Sequence, residues 1–132
     1  MDKFKEIRPI VLGLAIKNNK ILVSEGYDKV KDETFYRCLG GGIEFLEKSE
    51  EALKREFMEE INIDITVRDF LGISENIFTC QGKKAHELIL FYSAKFSLPM
   101  QQLFPKKCCL HLVLYFCFYY FIIYFSFRQL GY

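Results

Sequence analysis

The stretch that decides the fold of this chain is residues 41–63, which reads GGIEFLEKSEEALKREFMEEINI. Its second part has the pattern of an amphipathic helix. Ser49 is a favourable N-cap residue, and two glutamates follow it where the helix dipole stabilises negative charge. The apolar residues Leu53, Phe57 and Ile61 recur every four positions. Because this spacing places them on one side, they predict a helix with one buried face.

The predicted helix also carries three carboxylates close together. At 100° per residue from Leu53, Glu59 lies at about 240°, Glu56 at about 300° and Glu60 at about 340°. They share an arc of about 100° beside the apolar face, and their repulsion destabilises the helix by roughly a few tenths of a kcal/mol per pair. A divalent cation would convert that repulsion into ligation, and hard oxygen ligands suit Mg²⁺ or Mn²⁺ better than zinc. Taken alone, such a cluster is more often a solvated acidic face.

The spacing between the helix and the preceding loop favours the metal-binding alternative. Five residues separate Gly41 from Glu47, and seven more precede Arg55 and the glutamates. This arrangement resembles the Nudix box, G-x5-E-x7-R-E-U-x-E-E-x-G-U, in which U is a bulky apolar residue. Six charged or glycine positions match over 23 residues, which makes chance agreement improbable. Asn62 replaces the last glycine; asparagine tolerates positive φ, so the helix is expected to end there at a cost of about 1 kcal/mol or less.

The resemblance implies a fold and a chemistry. The fold is α/β, an α/β/α sandwich around a mixed sheet, and the activity is Mg²⁺-dependent hydrolysis of the pyrophosphate linkage in a nucleoside diphosphate derivative, with Mn²⁺ as an alternative cofactor. The metal ligands implied are Glu56, Glu59 and Glu60. Glu59 or Glu60 would also orient or deprotonate the attacking water. The substrate is therefore expected to be a small nucleotide-type molecule, whose identity the box does not specify.

The resemblance assigns roles to other residues as well. Glu47 and Arg55 are expected to form an ion pair that ties the loop to the helix and supports catalysis. The backbone of Gly40, Gly41 and Gly42 would approach the substrate phosphates closely. Glu87 is either a further metal ligand or a solvent-facing strand residue, and His86 is expected to be structural. Three aromatic residues could stack on a base, although core packing is favoured for each: Tyr27, Tyr36 and Phe78.

Strands are predicted on both sides of the box. They cover residues 7–16, 21–24, 34–39, 63–67, 75–79 and 86–94, with a possible short extended piece at 43–45. A hairpin turn is expected at Lys17-Asn18-Asn19-Lys20, a turn or loop at the three glycines, and a loop at 81–84. Phe35-Tyr36-Arg37 and His86-Glu87 also resemble pieces of the family pattern. Residues 1–97 are therefore expected to form one Nudix-like domain.

Composition narrows the class of protein. A chain of 132 residues with 51% hydrophobic residues can build one core, and its net charge of +1 argues against nucleic acid as a partner. The five cysteines have no metal-site spacing, which indicates reduced thiols in the cytoplasm. The N-terminus does not have the pattern of a secretory signal. The oligomeric state stays open.

The C-terminal segment, residues 98–132, departs from the family pattern. Residues 108–127, CCLHLVLYFCFYYFIIYFSF, contain only His111 and Ser126 as polar side chains other than tyrosine. A frameshift is the favoured explanation, because T-rich codons encode these residue types, and the result would be a truncated, catalytically impaired Nudix module. A C-terminal membrane anchor is second, since 20 helical residues span about 30 Å. Core of the folded domain is third, because the segment lacks an amphipathic period.

Overall fold

Within the part of the chain that the structure describes, a mixed β-sheet carries one packed helix. The computed structural model describes residues 6–17, 20–98 and 112–114. In chain order the elements are β1 (Ile7–Lys17), β2 (Lys20–Asp28), β3 (Glu33–Gly42), α1 (Ser49–Ile61), β4 (Ile65–Cys80), β5 (Lys83–Phe96) and β6 (Leu112–Leu114). The sheet has the order β4-β5-β1-β3-β2-β6. Strands β1 and β5 are parallel and the other neighbours antiparallel, so the predicted mixed sheet is confirmed.

Strand β1 changes partner along its length. Its residues 10–13 lie beside the end of β3, whereas Ile16 and Lys17 pair with Ile21 and Lys20 of β2, as the predicted hairpin requires. Strands β2 and β3 pair with each other from Val23 to Asp28. The outer part of the β2–β3 hairpin therefore extends away from β1.

A buried carboxylate attaches the tip of this hairpin to the β4–β5 turn. The carboxylate of Asp28 accepts hydrogen bonds from the backbone N–H groups of Val30 and Lys31 at 2.9 and 3.1 Å. It also accepts one from the backbone N–H of Gln81 at 3.0 Å. Burial alone would raise the pKa of Asp28, but these three donors hold the pKa below its usual value. Two turns that are far apart in sequence are thus held together.

Helix α1 packs on one face of the sheet as its sequence predicts. Leu53 and Phe57 are fully buried, and Ile61 packs partly buried against the same cluster. A Cβ at Gly13 would lie 3.0 Å from the ring of Phe57 and 3.2 Å from Leu53, so the helix lies directly against β1. A second buried cluster on the opposite face includes Ile10, Leu12, Leu14 and Ile89.

The sequence prediction for α1 is correct at the C-terminal end of the helix and wrong at its N-cap. Asn62 adopts the left-handed conformation, with φ 55° and ψ 41°, and ends the helix as expected. At the other end the N-cap is Lys48, not Ser49. The backbone N–H of Lys48 donates to the Glu51 carboxylate at 3.4 Å, while the Ser49 hydroxyl pairs with the Tyr92 hydroxyl at 2.8 Å. Ser49, which the local sequence predicts as the N-cap, therefore uses its side chain in a tertiary contact with β5 instead.

The prediction of a turn at the three glycines is wrong, because they are the last residues of β3. Gly40 has φ 146°, and a Cβ there would lie 2.0 Å from the carbonyl oxygen of Val11. Glycine thus allows the strand to stay paired with β1 in a conformation that other residues avoid. The predicted strands at 63–67 and 75–79 belong mostly to the single strand β4, and residues 43–45 are not a strand.

Little of the C-terminal segment falls within the described residues. Leu112–Leu114 form β6, which pairs antiparallel with β2. These three residues therefore lie at one edge of the sheet. The remainder of residues 108–127, to which the frameshift and anchor alternatives apply, lies outside the described residues. In the described part of the chain no helix is both long and apolar enough to cross a bilayer.

The structure predicts different costs for alanine at two of the three glycines. Gly40→Ala should lower the free energy of unfolding by about 1–3 kcal/mol, because the variant must strain its backbone and move away from Val11. Gly42→Ala is the matched control: its Cβ would meet nothing closer than 4.0 Å, and its stability should stay within about 0.5 kcal/mol of wild type. Urea unfolding measures both. Equal losses in the two variants would contradict this account of β3.

Candidate active site

Arg55 connects the loop, the helix and the end of β3. Its Nε and Nη2 atoms donate to the two carboxylate oxygens of Glu47 at 2.7 and 3.0 Å. The Nη2 atom also donates to the carbonyl oxygen of Gly42 at 2.9 Å, and Nη1 donates to Glu56 at 2.8 Å. The predicted pairing of Glu47 with Arg55 is therefore present, and it has the two-pronged geometry that only a guanidinium provides.

The electrostatics of this pair favour both charged forms. Hydrogen bonds from Arg55 and from the backbone N–H of Glu44 lower the pKa of Glu47 to about 2. The same contact with Glu47, followed by the one with Glu56, raises the pKa of Arg55. The loop before α1 is thus held to the helix by an ion pair in which both groups stay charged at neutral pH.

The three helix glutamates lie in different surroundings. The carboxylate of Glu56 sits directly over Gly41, where a Cβ would lie 2.4 Å from its Cδ atom. The side chain of Glu59 is 60% exposed, and one of its oxygens is 3.4 Å from Nη1 of Arg55. Glu60 accepts a hydrogen bond from the backbone N–H of Gly40. Desolvation and the neighbouring charge of Glu56 raise the pKa of Glu60, against the opposing effect of Arg37.

These carboxylates are not gathered around one point. Across residues 6–17, 20–98 and 112–114, no three His, Cys, Asp or Glu side chains are arranged to hold a metal ion. Nη1 of Arg55 contacts two of them, Glu56 and Glu59. The donor set nevertheless fits a hard divalent cation, because all three side chains offer oxygen ligands on one side of a single helix. Gly41 provides the space in which the carboxylate of Glu56 lies.

Glu87 is not the solvent-facing residue that one alternative predicted. It is 2% exposed, and its carboxylate lies between Arg8, at 3.8 Å, and Arg37, at 3.4 Å. Sequence reasoning missed both arginines as partners. The available signal was the position of Arg37 three residues before the glycines, in a segment that resembles the family pattern.

The three aromatic residues considered for base stacking differ in burial, and His86 pairs with a neighbouring strand. Tyr27 is 49% exposed, so its predicted place in the core is wrong, whereas Tyr36 packs partly buried against the second cluster. Phe78 is half-buried on β4. The Nε2 atom of His86 lies 2.7 Å from the carboxylate of Glu75 on the neighbouring strand. This contact joins β4 to β5.

Comparisons with known proteins agree with the fold and identify the family. The NUDIX domain family matches residues 7–106. The MutT NUDIX hydrolase of Burkholderia pseudomallei is 23% identical, with 71% of each chain covered and a TM-score of 0.58. The E. coli ORF135 protein is 21% identical over 70% of this chain and 62% of its own, with a TM-score of 0.51. A UDP-X diphosphatase is 21% identical over 72% of this chain and 44% of its own, with a TM-score of 0.50.

A mixed sheet with a glutamate-bearing helix after a glycine-rich strand end defines a Nudix-type domain. The chain belongs to the Nudix family. Its matched part spans less than two thirds of the E. coli protein and of the UDP-X diphosphatase. As a family, Nudix hydrolases generally use divalent metal ions. The fold and family predicted from residues 41–63 are therefore confirmed.

The Glu47–Arg55 pair predicts how stability depends on pH. Because the folded-state pKa of Glu47 is lowered to about 2, its contribution is fully present above the ordinary value near 4.5 and is lost as pH falls through 2. The free energy of unfolding should therefore fall as the pH is lowered from about 4.5 to about 2. In Glu47→Gln that part of the fall should be absent, as measured by urea unfolding at a series of pH values. Glu50→Gln, at an exposed position of α1, should retain the wild-type slope.

A substitution that keeps the charge tests the geometry of the pair. Arg55→Lys should lower the free energy of unfolding by about 1 kcal/mol or more, because an ammonium cannot bond Glu47, Gly42 and Glu56 together in this arrangement. Arg68→Lys, at an exposed position on β4, is the control and should be close to wild type. Thermal and urea unfolding measure both. Wild-type stability in Arg55→Lys would mean that charge alone holds the loop.

Proposed function

We propose that the protein is a metal-dependent pyrophosphohydrolase that cleaves the diphosphate linkage of a nucleoside diphosphate derivative. The observation that carries this proposal is the group around Arg55, which brings Glu47 of the loop, Glu56 of the helix and the carbonyl oxygen of Gly42 to one side chain. Membership of the Nudix family supports the reaction class. The relatives described as a MutT NUDIX hydrolase and a UDP-X diphosphatase are consistent with it.

In this proposal Glu56, Glu59 and Glu60 would hold Mg²⁺, or Mn²⁺ as an alternative. The bound cation would neutralise charge on the diphosphate and lower the pKa of a water molecule. The protein's own groups have distinct tasks. Arg55 fixes Glu56 over Gly41, and the backbone N–H of Gly40 holds Glu60. Glu59 or Glu60 orients the attacking water or accepts its proton.

Position favours a more mobile role for Glu59 than for the other two glutamates. Its carboxylate is the most exposed of those paired with Arg55, and its contact of 3.4 Å is longer than the 2.8 Å contact of Glu56. A weakly held carboxylate can turn from the arginine to the reaction centre at little cost. Glu56 is held between Arg55 and Gly41 and is better suited to a fixed ligand position.

The functional unit that we propose is residues 1–97. A cytoplasmic location is also part of the proposal, since Cys38 and Cys80 are free thiols and Cys38 is buried. Burial raises the pKa of the Cys38 thiol to about 12, which makes it unreactive. The alternative of a catalytically impaired module stays a prediction, because it concerns residues outside those that the structure describes.

Charge-removing substitutions on α1 test the proposal. Glu59→Gln and Glu60→Gln should each reduce Mg²⁺-dependent hydrolysis by about two orders of magnitude or more, since each loses a ligand charge or the water-orienting group. Their stability should be close to wild type, because less like-charge repulsion offsets the lost contacts. Turnover is measured across a panel of nucleoside diphosphate derivatives with Mg²⁺ or Mn²⁺.

The matched control is Glu50→Gln on the same helix, which should hydrolyse substrate at the wild-type rate. Two outcomes contradict the proposal. One is full activity in both Glu59→Gln and Glu60→Gln, which would remove these residues from the site. The other is a folded wild-type protein that binds Mn²⁺ and the substrates but turns none over, which is the behaviour of the catalytically impaired module.

A further inference from the structure

A cluster of one carboxylate and two arginines lies beside the proposed active site without a part in the mechanism above. We call Arg8, Arg37 and Glu87 the arginine cluster. Arg8 and Glu87 are direct neighbours on the parallel strands β1 and β5, and Arg37 lies on β3. These three strands are adjacent in the sheet. The cluster therefore forms at the centre of the sheet from residues far apart in sequence.

The arginine cluster adjoins the glycine segment and the glutamates of α1. A Cβ at Gly42 would have Nη2 of Arg8 as its nearest neighbour, at 4.0 Å. Arg37 is close enough to Glu60 for its positive charge to oppose the raised pKa of that carboxyl group. Both guanidinium groups thus lie near the glycine segment. Any diphosphate beside Gly40–Gly42 would meet positive charge there.

The contacts within the cluster leave both arginines capable of further bonding. Arg37 is 3.4 Å and Arg8 3.8 Å from Glu87, whereas Arg55 lies 2.7 Å from Glu47. The side chains of Arg37 and Arg8 are 31% and 59% exposed, although Glu87 between them is buried. One carboxylate for two guanidinium groups leaves an excess positive charge. Planar guanidinium groups with free N–H donors bind phosphate in a two-pronged manner.

We propose that Arg37 and Arg8 bind the diphosphate of the substrate beside the glycine segment, and that Glu87 positions the two guanidinium groups. This inference rests on the proposed function. Glu87 acts as a positioning residue, because each of its oxygens faces an arginine. A role as a metal ligand fits this environment less well, since two adjacent cations repel a third.

Binding of a non-hydrolysable diphosphate tests the role of the arginines. The probe is methylenediphosphonate with Mg²⁺, and its Kd is measured by isothermal titration calorimetry. Arg37→Gln should weaken binding by about tenfold to a hundredfold, because a charge-assisted pair of hydrogen bonds is lost. Arg8→Gln should weaken it by about tenfold or less, since this side chain is more exposed. Arg37→Lys should restore part of the lost affinity, because lysine keeps the positive charge but lacks the paired N–H donors of a guanidinium.

The matched control is Arg68→Gln, which removes an exposed arginine from β4 and should leave the Kd unchanged. Wild-type affinity in Arg37→Gln, or no binding of the probe to the wild-type protein, would overturn the inference. Thermal unfolding confirms that each variant is folded. Hydrolysis is measured separately, so arginine-dependent binding without turnover would refute the proposed function and leave this inference standing.

A separate measurement tests the positioning role of Glu87. Glu87→Gln should weaken diphosphonate binding several-fold and leave the affinity for Mn²⁺, measured by electron paramagnetic resonance, at the wild-type value. A loss of Mn²⁺ affinity would make Glu87 a metal ligand and overturn this part of the inference. If Glu87→Gln does not fold, the comparison of Arg37→Gln with Arg68→Gln still decides whether the arginines bind the diphosphate.

Discussion

The arrangement of the site depends on the guanidinium of Arg55. Its fixed planar geometry lets one side chain bond Glu47, the carbonyl oxygen of Gly42 and Glu56 at the same time. The loop, the strand end and the helix therefore cannot shift independently. The pair with Glu47 stays charged because each partner stabilises the charged form of the other. The side of α1 that carries Glu56 is thereby held against the end of β3.

Close contact between backbone and side chains is the second constraint. Gly40 keeps β3 paired with β1 where a Cβ would clash with a carbonyl oxygen, and Gly41 leaves the space that the carboxylate of Glu56 fills. Gly13 allows the helix to approach β1 through Phe57 and Leu53. The glycines therefore allow the helix and the carboxylate of Glu56 to lie close to the sheet, which larger residues at these positions would prevent.

The β2–β3 hairpin carries Arg37, a member of the arginine cluster. Asp28 fastens its tip to the β4–β5 turn through three backbone donors. Arg37 of the same hairpin contacts Glu87, 50 residues later in the chain. Positive groups therefore lie near both the glycine segment and Glu60.

The sequence by itself determined the features whose partners lie within one local segment. The span of α1 and its end at Asn62 follow from residue types at fixed offsets, since helical geometry converts offset into position. The Glu47–Arg55 pair was implied by the resemblance of residues 41–63 to the Nudix box. The tertiary structure decided the rest. Burial of Glu87, exposure of Tyr27 and extension of β3 through the glycines depend on which strands are neighbours. Strand neighbours are set by long-range packing of the whole sheet, and no local spacing in the sequence encodes that packing.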